Sequence, residues 1–188
     1  EIARGLIQKA IELDDNLLIA KNLLGTTYLS IGDYDKAMNI YSSTLKQAEK
    51  LGNMKSIGNI LTSIGIICFN KGNLDKALDC YNRSLTIQDK LGDRHGMGNS
   101  IHCIGIVYAD KGKYDKALHC YKKAIEIREE IHDKQGMGNS LNNIGIVYAD
   151  KGDYDTALDY YNQSLTIAKE LDCKYEMGYY FGNIGIIY

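Results

Sequence analysis

The residues of this chain that could bind a metal or act as nucleophiles are its four histidines and five cysteines. They are His95, His102, His119, His132, Cys68, Cys80, Cys103, Cys120 and Cys173. No two histidines have the HExxH spacing that places two imidazoles on one face of a helix, and no CxxC pair is present. The sequence therefore predicts a protein that is not an enzyme, holds no metal and uses no cofactor.

Composition argues against several classes of partner. The 22 basic and 24 acidic residues of the 188-residue chain are interspersed and give a net charge of −2, so we expect no nucleic-acid partner. The apolar runs are short, so we expect no membrane span. An odd number of scattered thiols is typical of a reducing compartment, which predicts a cytoplasmic protein.

The segment Gly-Met-Gly-Asn-Ser occurs twice, at 96–100 and 136–140, and its glycines could suggest a phosphate-binding loop. The Lys-Ser/Thr ending of such a loop is missing, and no predicted strand precedes either copy. The two copies instead belong to a longer pattern that repeats every 40 residues. A fixed period of this length indicates a solenoid of stacked supersecondary units.

Glycine, alanine and tyrosine mark the repeat most regularly. Their columns are Gly65, Gly105 and Gly145; Ala77, Ala117 and Ala157; Tyr108 and Tyr148; and Tyr121 and Tyr161. Within one repeat, Gly105 and Ala117 are predicted to lie where two helices approach closely, because a larger side chain would hold the helices apart. Tyr108 and Tyr121 are predicted to fill the volume beside these small residues.

Each repeat is predicted to contain two amphipathic helices joined by short turns, so that the helices pack antiparallel. Ile101, Ile104 and Tyr108 lie on one face of a first helix, and Gly112 is predicted to end that helix in a left-handed conformation. The predicted N-caps are Asp33, Asn53, Asn73, Asp93, Asp133 and Asp153. Lys113 stands in the same place in its repeat and is not a favourable cap.

The pattern of small and aromatic residues resembles the tetratricopeptide repeat. One repeat carries its characteristic residues as Gly105, Tyr108, Ala117, Tyr121 and Ala124. The usual tryptophan is replaced by isoleucine or leucine, and the usual proline is absent. The 40-residue period is similar to that of kinesin light chain, the LGN/Pins cell-polarity adaptors and bacterial signalling proteins. The resemblance implies an all-α fold, a right-handed α-solenoid superhelix of antiparallel helix pairs.

The repeats are predicted to form a single array over residues 1–188, as a fragment of a longer protein. Residues 1–14, with the turn sequence AIELDDN at 10–16, are predicted to be the second helix of a truncated repeat. Complete repeats are predicted at 18–51, 58–91, 98–131 and 138–171. Residues 176–188 are predicted to be a first helix without its partner.

The resemblance implies that the first helices line a concave groove. The polar groove residues are then Asn59, Asn99, His102, Asn139, Asn142, Asn143, Asn183, Asp110 and Asp150, beside an apolar stripe that includes Ile106 and Ile146. Amides can both donate to and accept from a peptide backbone of any sequence. In the long-repeat adaptors, asparagines that match Asn143 and Asn183 hold an extended peptide. The Lys and Arg clamp of chaperone-binding repeats is missing, so we do not expect an Hsp70 or Hsp90 tail as ligand.

The predicted function is that of a protein–protein interaction scaffold in signalling, which binds a peptide segment of a partner in its concave groove. An alternative is a regulatory or sensor arm that controls a linked effector domain, such as a protease, cyclase or kinase, on the same longer chain. The partner would accordingly be in trans or in cis. Self-association through the open ends of the solenoid is a further alternative.

Overall fold

The computed structural model describes residues 2–13 and 17–187. Within these ranges all regular structure is helical, which confirms the predicted all-α solenoid of helix pairs. The helices are α1 (Ile2–Leu13), α2 (Leu18–Ser30), α3 (Tyr34–Lys50), α4 (Met54–Asn70), α5 (Leu74–Leu91), α6 (Arg94–Asp110), α7 (Tyr114–Glu130), α8 (Lys134–Asp150), α9 (Tyr154–Glu170) and α10 (Lys174–Ile187).

Each complete repeat is a pair of neighbouring helices, and two 17-residue helices with their short turns account for the period, as in α6 and α7. The pairs are α2 with α3, α4 with α5, α6 with α7, and α8 with α9. The single helices α1 and α10 pack on α2 and α9. First helices also touch the next first helix, α2 with α4, α6 with α8, and α8 with α10. This contact places their polar columns side by side.

The turns follow from local chemistry. Gly112 adopts a left-handed conformation, with φ of +66°, two residues after the end of α6. The side chains of Asp33, Asn53, Asp93, Asp133 and Asp153 each accept a hydrogen bond from the backbone N–H three residues later, which confirms these predicted caps. Asn73 occupies the N-cap position of α5, as predicted, but its side chain makes no capping hydrogen bond. Lys113, at the N-cap of α7, makes none either.

The chain divides into two compact units, the first ending at Gly92 and the second beginning at Asp93. The first unit holds α1 to α5, with a core that includes Tyr41, Leu61 and Ile67. The second holds α6 to α10, with core clusters around Tyr121 and Tyr180. Residues 14–16 of the predicted AIELDDN turn, and Tyr188, lie outside the described residues.

The regularly spaced glycines face tyrosine rings of the second helix. A Cβ atom added to Gly65 would lie 2.5 Å from the ring of Tyr81, and one added to Gly145 would lie 2.6 Å from Tyr161. Gly105 meets Tyr121 in the same way, at 2.6 Å. The alanines of the second helices, Ala77, Ala117 and Ala157, are fully buried. Tyr108 and Tyr148 are half-buried, and Tyr148 stacks on Tyr160 with ring centroids 5.6 Å apart.

Candidate partner-binding face

The predicted groove residues of the second unit lie on its three first helices, α6, α8 and α10. We call this surface the amide face and define it by Asn99, His102, Asn139, Asn143 and Asn183. A hydrogen bond between Asn143 and His102 links α8 to α6, and one from Asn183 to the buried Asn142 links α10 to α8. The amide face is therefore a connected polar network rather than a row of independent asparagines.

His102 forms the centre of this network. Its Nε2 lies 3.2 Å from Asn143 Nδ2, and its Nδ1 lies 2.9 Å from Ser140 Oγ. Asn143 Nδ2 donates to Nε2 when the imidazole proton is on Nδ1, which then donates to Ser140 Oγ. A guanidinium nitrogen of Arg128 lies 3.4 Å from the same Nδ1. Burial, together with the nearby guanidinium of Arg128, lowers the pKa of His102 to about 3. His102 is thus a neutral residue that fixes the orientation of the Asn143 amide.

Arg128, on α7, is a buried charge that sequence reasoning missed. Only 4% of the residue is exposed. One guanidinium nitrogen donates to the carbonyl oxygen of Gly136 at 2.8 Å and to Ser140 Oγ at 2.6 Å. The other donates to Asn99 Oδ1 at 2.9 Å, and the Asp133 carboxylate lies 3.5 Å from Nε. Burial lowers the pKa of Arg128, while Asp133 opposes that shift.

Alignment of the repeats indicates that Arg128 occupies a buried position. Its column is Ala48, Gln88, Arg128 and Ala168, and all four residues are buried. A charged residue in a column that is otherwise small or uncharged indicates a buried polar contact. The signal was obscured because Arg128 also lies in the last turn of α7, where a basic residue is favourable on a solvated helix end.

Gly136 shows what the Gly-Met-Gly-Asn-Ser segment does. A Cβ atom added there would lie 2.5 Å from Nε of Arg128. The absence of a side chain at Gly136 therefore lets the guanidinium pack against the first turn of α8. The local function of this glycine is helix packing, which agrees with the rejection of a phosphate loop.

Asn142 corrects one sequence prediction. It was expected to face a ligand, but it is only 1% exposed. Its Oδ1 accepts a hydrogen bond from Asn183 Nδ2 at 2.7 Å, so Asn142 holds α10 against α8. The first helices α8 and α10 contact each other, so Asn142 lies at the boundary between them and not on a ligand-facing surface.

Asn143 and Asn183 are half-buried and have a common orientation. Each directs its amide nitrogen inward, Asn143 toward His102 and Asn183 toward Asn142. Among the residues that the structure describes, neither Oδ1 atom takes part in a hydrogen bond. Both side chains therefore offer a carbonyl oxygen as the acceptor for a ligand.

Asn139 has the opposite orientation. It is exposed, and its Oδ1 accepts from the Tyr180 hydroxyl at 2.9 Å, which leaves its amide nitrogen as a donor. Asn99 is more fully used, because its Oδ1 accepts from Arg128 and its Nδ2 lies 3.3 Å from Nδ1 of His95. The amide face thus combines acceptors and a donor with fixed directions.

The remaining predicted groove residues have simpler surroundings. Ile106 and Ile146 are half-buried on α6 and α8, whereas Asp110 and Asp150 are exposed at the ends of these helices. Asn59 is exposed on α4 and belongs to the first unit, where it lines a separate cleft.

Comparison with known families decides the classification. Tetratricopeptide repeat families match residues 22–55, 58–91 and 96–170, which together span most of the chain. The chain belongs to the tetratricopeptide repeat family. Its amide face is accordingly a surface of this family's first helices. No curated protein matches the chain at a significant level.

Solved structures with the same fold include proteins of different kinds. BtubC (BKLC) from P. vanneervenii has a TM-score of 0.79 at 20% identity, and the alignment covers 78% of its chain and 98% of this one. MamA has a TM-score of 0.62 at 24% identity, with 89% of its chain and 90% of this one covered. A Rap protein in complex with competence and sporulation factor has a TM-score of 0.85 at 19% identity, covering 49% of its chain and 92% of this one. At these identities the likeness shows the fold.

The described part of the tetratricopeptide array holds no group of three or more His, Cys, Asp or Glu side chains that could bind a metal ion. None of its described helices is both long and apolar enough to cross a bilayer. The five thiols are free, and burial raises the pKa of Cys80 to about 11 and also raises that of Cys120.

Proposed function

We propose that the chain is a protein–protein interaction scaffold whose amide face binds an extended peptide segment of a partner protein. The observation that carries the proposal is the fixed polarity of three asparagines. Asn143 and Asn183 direct acceptors outward because their nitrogens are bonded within the chain. Asn139 directs a donor outward because its oxygen is bonded to Tyr180.

A peptide backbone presents both N–H and C=O groups, and each needs a partner when it is removed from water. Acceptors at Asn143 and Asn183 suit its N–H groups, and the donor at Asn139 suits a carbonyl. Since these amides are already held by other side chains, little rotamer freedom is lost on binding, which favours affinity. Recognition of this kind reads the backbone, and specificity must come from neighbouring side chains.

A second candidate is a sensor arm that binds a segment of its own longer chain. It is supported by the similarity to a signal transduction ATPase with numerous domains from Pyrococcus horikoshii, which has a tetratricopeptide repeat sensor. That protein is 21% identical with a TM-score of 0.80, and this chain spans 31% of it. The physical basis would be the same, but the bound peptide would be intramolecular.

To test the proposal, a partner segment is first identified by capture and then synthesised. Its affinity for the chain is measured by isothermal titration calorimetry. Asn143→Ala combined with Asn183→Ala should weaken binding by about tenfold or more, since two hydrogen bonds are lost. The matched control is Asn82→Ala combined with Asn162→Ala, which removes two exposed asparagines from the second helices α5 and α9. The control should bind like the unmodified chain.

Binding must be measured well below the unfolding temperature of each variant. Removal of Asn183 leaves the buried Oδ1 of Asn142 without its donor, which costs about 1–3 kcal/mol of stability. Equal affinities for the amide-face variant and the control would refute the proposal. An affinity that differs between the chain alone and the chain joined to its natural flanking domains would favour the intramolecular candidate.

A further inference from the structure

The amide face continues along its helices into an apolar layer and then into an acidic end. In α8, Asn139 is followed seven positions later by Ile146 and four positions after that by Asp150, which places all three on one side of the helix. In α6, Ile106 and Asp110 follow Asn99 in the same way. Both isoleucines are half-buried and both carboxylates are exposed. A ligand on the amide face therefore lies beside an apolar layer and two negative charges.

The stability of the helices does not explain these two acids. Asp110 and Asp150 are the last residues of α6 and α8. The C-terminal end of a helix carries a partial negative charge, so a carboxylate there is unfavourable. The corresponding helices of the first unit end in the neutral residues Ser30 and Asn70. The fold therefore does not require an acid at this place.

No cation of the described residues is bound to either carboxylate. The lysine that follows Asp150 is engaged elsewhere, because the ammonium group of Lys151 lies 3.7 Å from the Asp115 carboxylate and 5.9 Å from the centre of the Tyr148 ring. Burial raises the pKa of Tyr161 to about 12, and the nearby Asp150 carboxylate adds to that shift. Asp150 thus lies near a phenol and solvent, and its charge can attract a cation from a ligand.

The order of the layers indicates which side chain would fit. Since an α-helix rises about 1.5 Å per residue, Asp150 lies about 6 Å beyond Ile146 along α8. An arginine or lysine side chain can cross such a distance, with its methylene groups on apolar surface and its charge in water. An acidic side chain would be repelled by the carboxylates, and a purely apolar one would leave them without a partner.

We propose that the partner peptide is basic, and that its arginine or lysine side chains lie across Ile106 and Ile146 and end at the carboxylates of Asp110 and Asp150. The inference rests on the proposed function, since the amide face is what holds the peptide backbone beside these residues. It adds a source of specificity. Successive side chains of an extended peptide point in opposite directions, so basic residues at alternate positions all face the acidic end.

Three acetylated and amidated peptides of equal length test the charge preference. Serine alternates with arginine in the first, with citrulline (the neutral isostere of arginine) in the second, and with glutamate in the third. Each is titrated at low ionic strength into the isotope-labelled 188-residue chain, and binding is followed by NMR.

The arginine peptide should shift the signals of Ile106, Ile146, Asp110 and Asp150. It should bind about three- to tenfold more tightly than the citrulline peptide, as expected for two exposed ion pairs. The glutamate peptide should bind more weakly than either. Equal affinities for the arginine and citrulline peptides, or no binding of the arginine peptide, would overturn the inference.

Asp110→Asn combined with Asp150→Asn tests whether these carboxylates cause the preference. The double variant should bind the arginine and citrulline peptides equally and should remain folded, since an uncharged residue is more favourable at a helix C-terminus. The matched control, Asp89→Asn combined with Asp159→Asn, removes the same charge from exposed residues of the second helices α5 and α9. An arginine preference that persists in the first variant, or that is lost equally in the control, would contradict the assignment.

Failure of this inference differs from failure of the proposed function. Asn143→Ala with Asn183→Ala removes hydrogen bonds to the peptide backbone, so it should weaken the arginine and citrulline peptides by the same factor. If it does so while the two peptides bind equally well to the unmodified chain, the basic-peptide inference fails alone. If the arginine preference depends on Asp110 and Asp150 but the amide-face variant loses no affinity, the proposed function fails.

Discussion

In the first unit, Ala48 and Ile60 occupy the places that Arg128 and Ser140 occupy in the second unit. Ala48 and Ile60 belong to an apolar core cluster. Arg128 and Ser140 belong to a buried hydrogen-bond network that reaches the amide face. The two units thus share one helix-pair framework but differ in how they fill the space between successive repeats.

The comparison shows that the combined side-chain volume at the boundary between successive repeats varies less than the polarity of those side chains. A small residue on the second helix is accompanied by a large one on the next first helix, as in Ala48 with Ile60 and Ala168 with Tyr180. A large residue is accompanied by a small one, as in Arg128 with Ser140. Close packing requires such compensation, whereas polarity can vary wherever hydrogen bonds are satisfied.

The largest effect is expected for Arg128→Ala. The substitution leaves Asp133 without its cation and Asn99 Oδ1 without its donor, and it creates a cavity in the second unit. Removal of one member of a buried charged network costs about 3–5 kcal/mol. Chemical denaturation followed by circular dichroism measures this loss. A loss below about 1 kcal/mol would show that the network is not stabilising.

A double variant sharpens the comparison. Arg128→Ala with Ser140→Tyr reproduces the pair Ala168 and Tyr180, whose hydroxyl bonds to Asn139 as the new one could bond to Asn99. The double variant should regain at least half of the stability lost by Arg128→Ala alone. If no stability is recovered, an alanine–tyrosine pair cannot replace the Arg128–Ser140 pair at this boundary.

A smaller effect, shared by both units, is expected where glycine meets tyrosine. Gly65→Ala and Gly145→Ala each place a methyl group against the ring of Tyr81 or Tyr161, and overpacking of this kind costs about 1–3 kcal/mol. Gly185→Ala is the matched control, because a Cβ atom there has nothing within 4 Å. The control should be neutral or stabilising by about 0.5–1 kcal/mol, since alanine favours helix more than glycine. Thermal unfolding of the three variants would show whether the ranking holds.

A pH-dependent effect should be confined to the second unit. The pKa of His102 is lowered to about 3 in the folded chain, so the folded state keeps His102 neutral while the unfolded state gains a proton below about pH 6.5. The stability contribution of neutral His102 is therefore complete above that pH and decreases as the pH falls toward 3, by up to about 1.4 kcal/mol per pH unit. In the first unit the corresponding residues are Asn22 and Thr62, neither of which titrates.

Hydrogen exchange resolved by helix, compared at pH 6.5 and pH 5, measures this difference. Protection in α6 and α8 should decrease relative to α2 and α4 as the pH falls. His102→Gln should remove the difference, because an amide in that place cannot bind a proton. An unchanged pH profile in His102→Gln would assign the acid sensitivity to other groups.

The smallest effect is expected for Lys134→Ala, which removes an exposed ion pair with Glu170 in the second unit. Exposed pairs contribute about 0–1 kcal/mol and are screened by salt. The variant is a control for Arg128→Ala, since both remove an ionic contact to a carboxylate. If Lys134→Ala lost as much stability as Arg128→Ala, burial would not explain why the Arg128 contact is expected to contribute more than the exposed pair.

Much of the fold could be predicted from the sequence, because the repeat period itself carries the information. Helix pairs, left-handed glycines such as Gly112 and caps such as Asp133 depend on residues close together along the chain. Asn73 stands at the N-cap of α5 without a capping hydrogen bond, which shows that a favourable residue type does not ensure that bond.

The candidate site was less predictable, because its properties depend on which side chains meet across repeats. Periodicity placed Asn142 and Asn143 together in the groove, although one is buried at a helix boundary and the other is half-buried. Arg128 was not anticipated, since its partners lie on two other helices, α6 and α8.

A structure of the chain with its bound partner segment tests the central claim most directly. The account predicts an extended peptide on α6, α8 and α10, with its N–H groups donating to the Oδ1 atoms of Asn143 and Asn183. A partner bound solely to the second helices α7 and α9, with both asparagines free of contact, would contradict it.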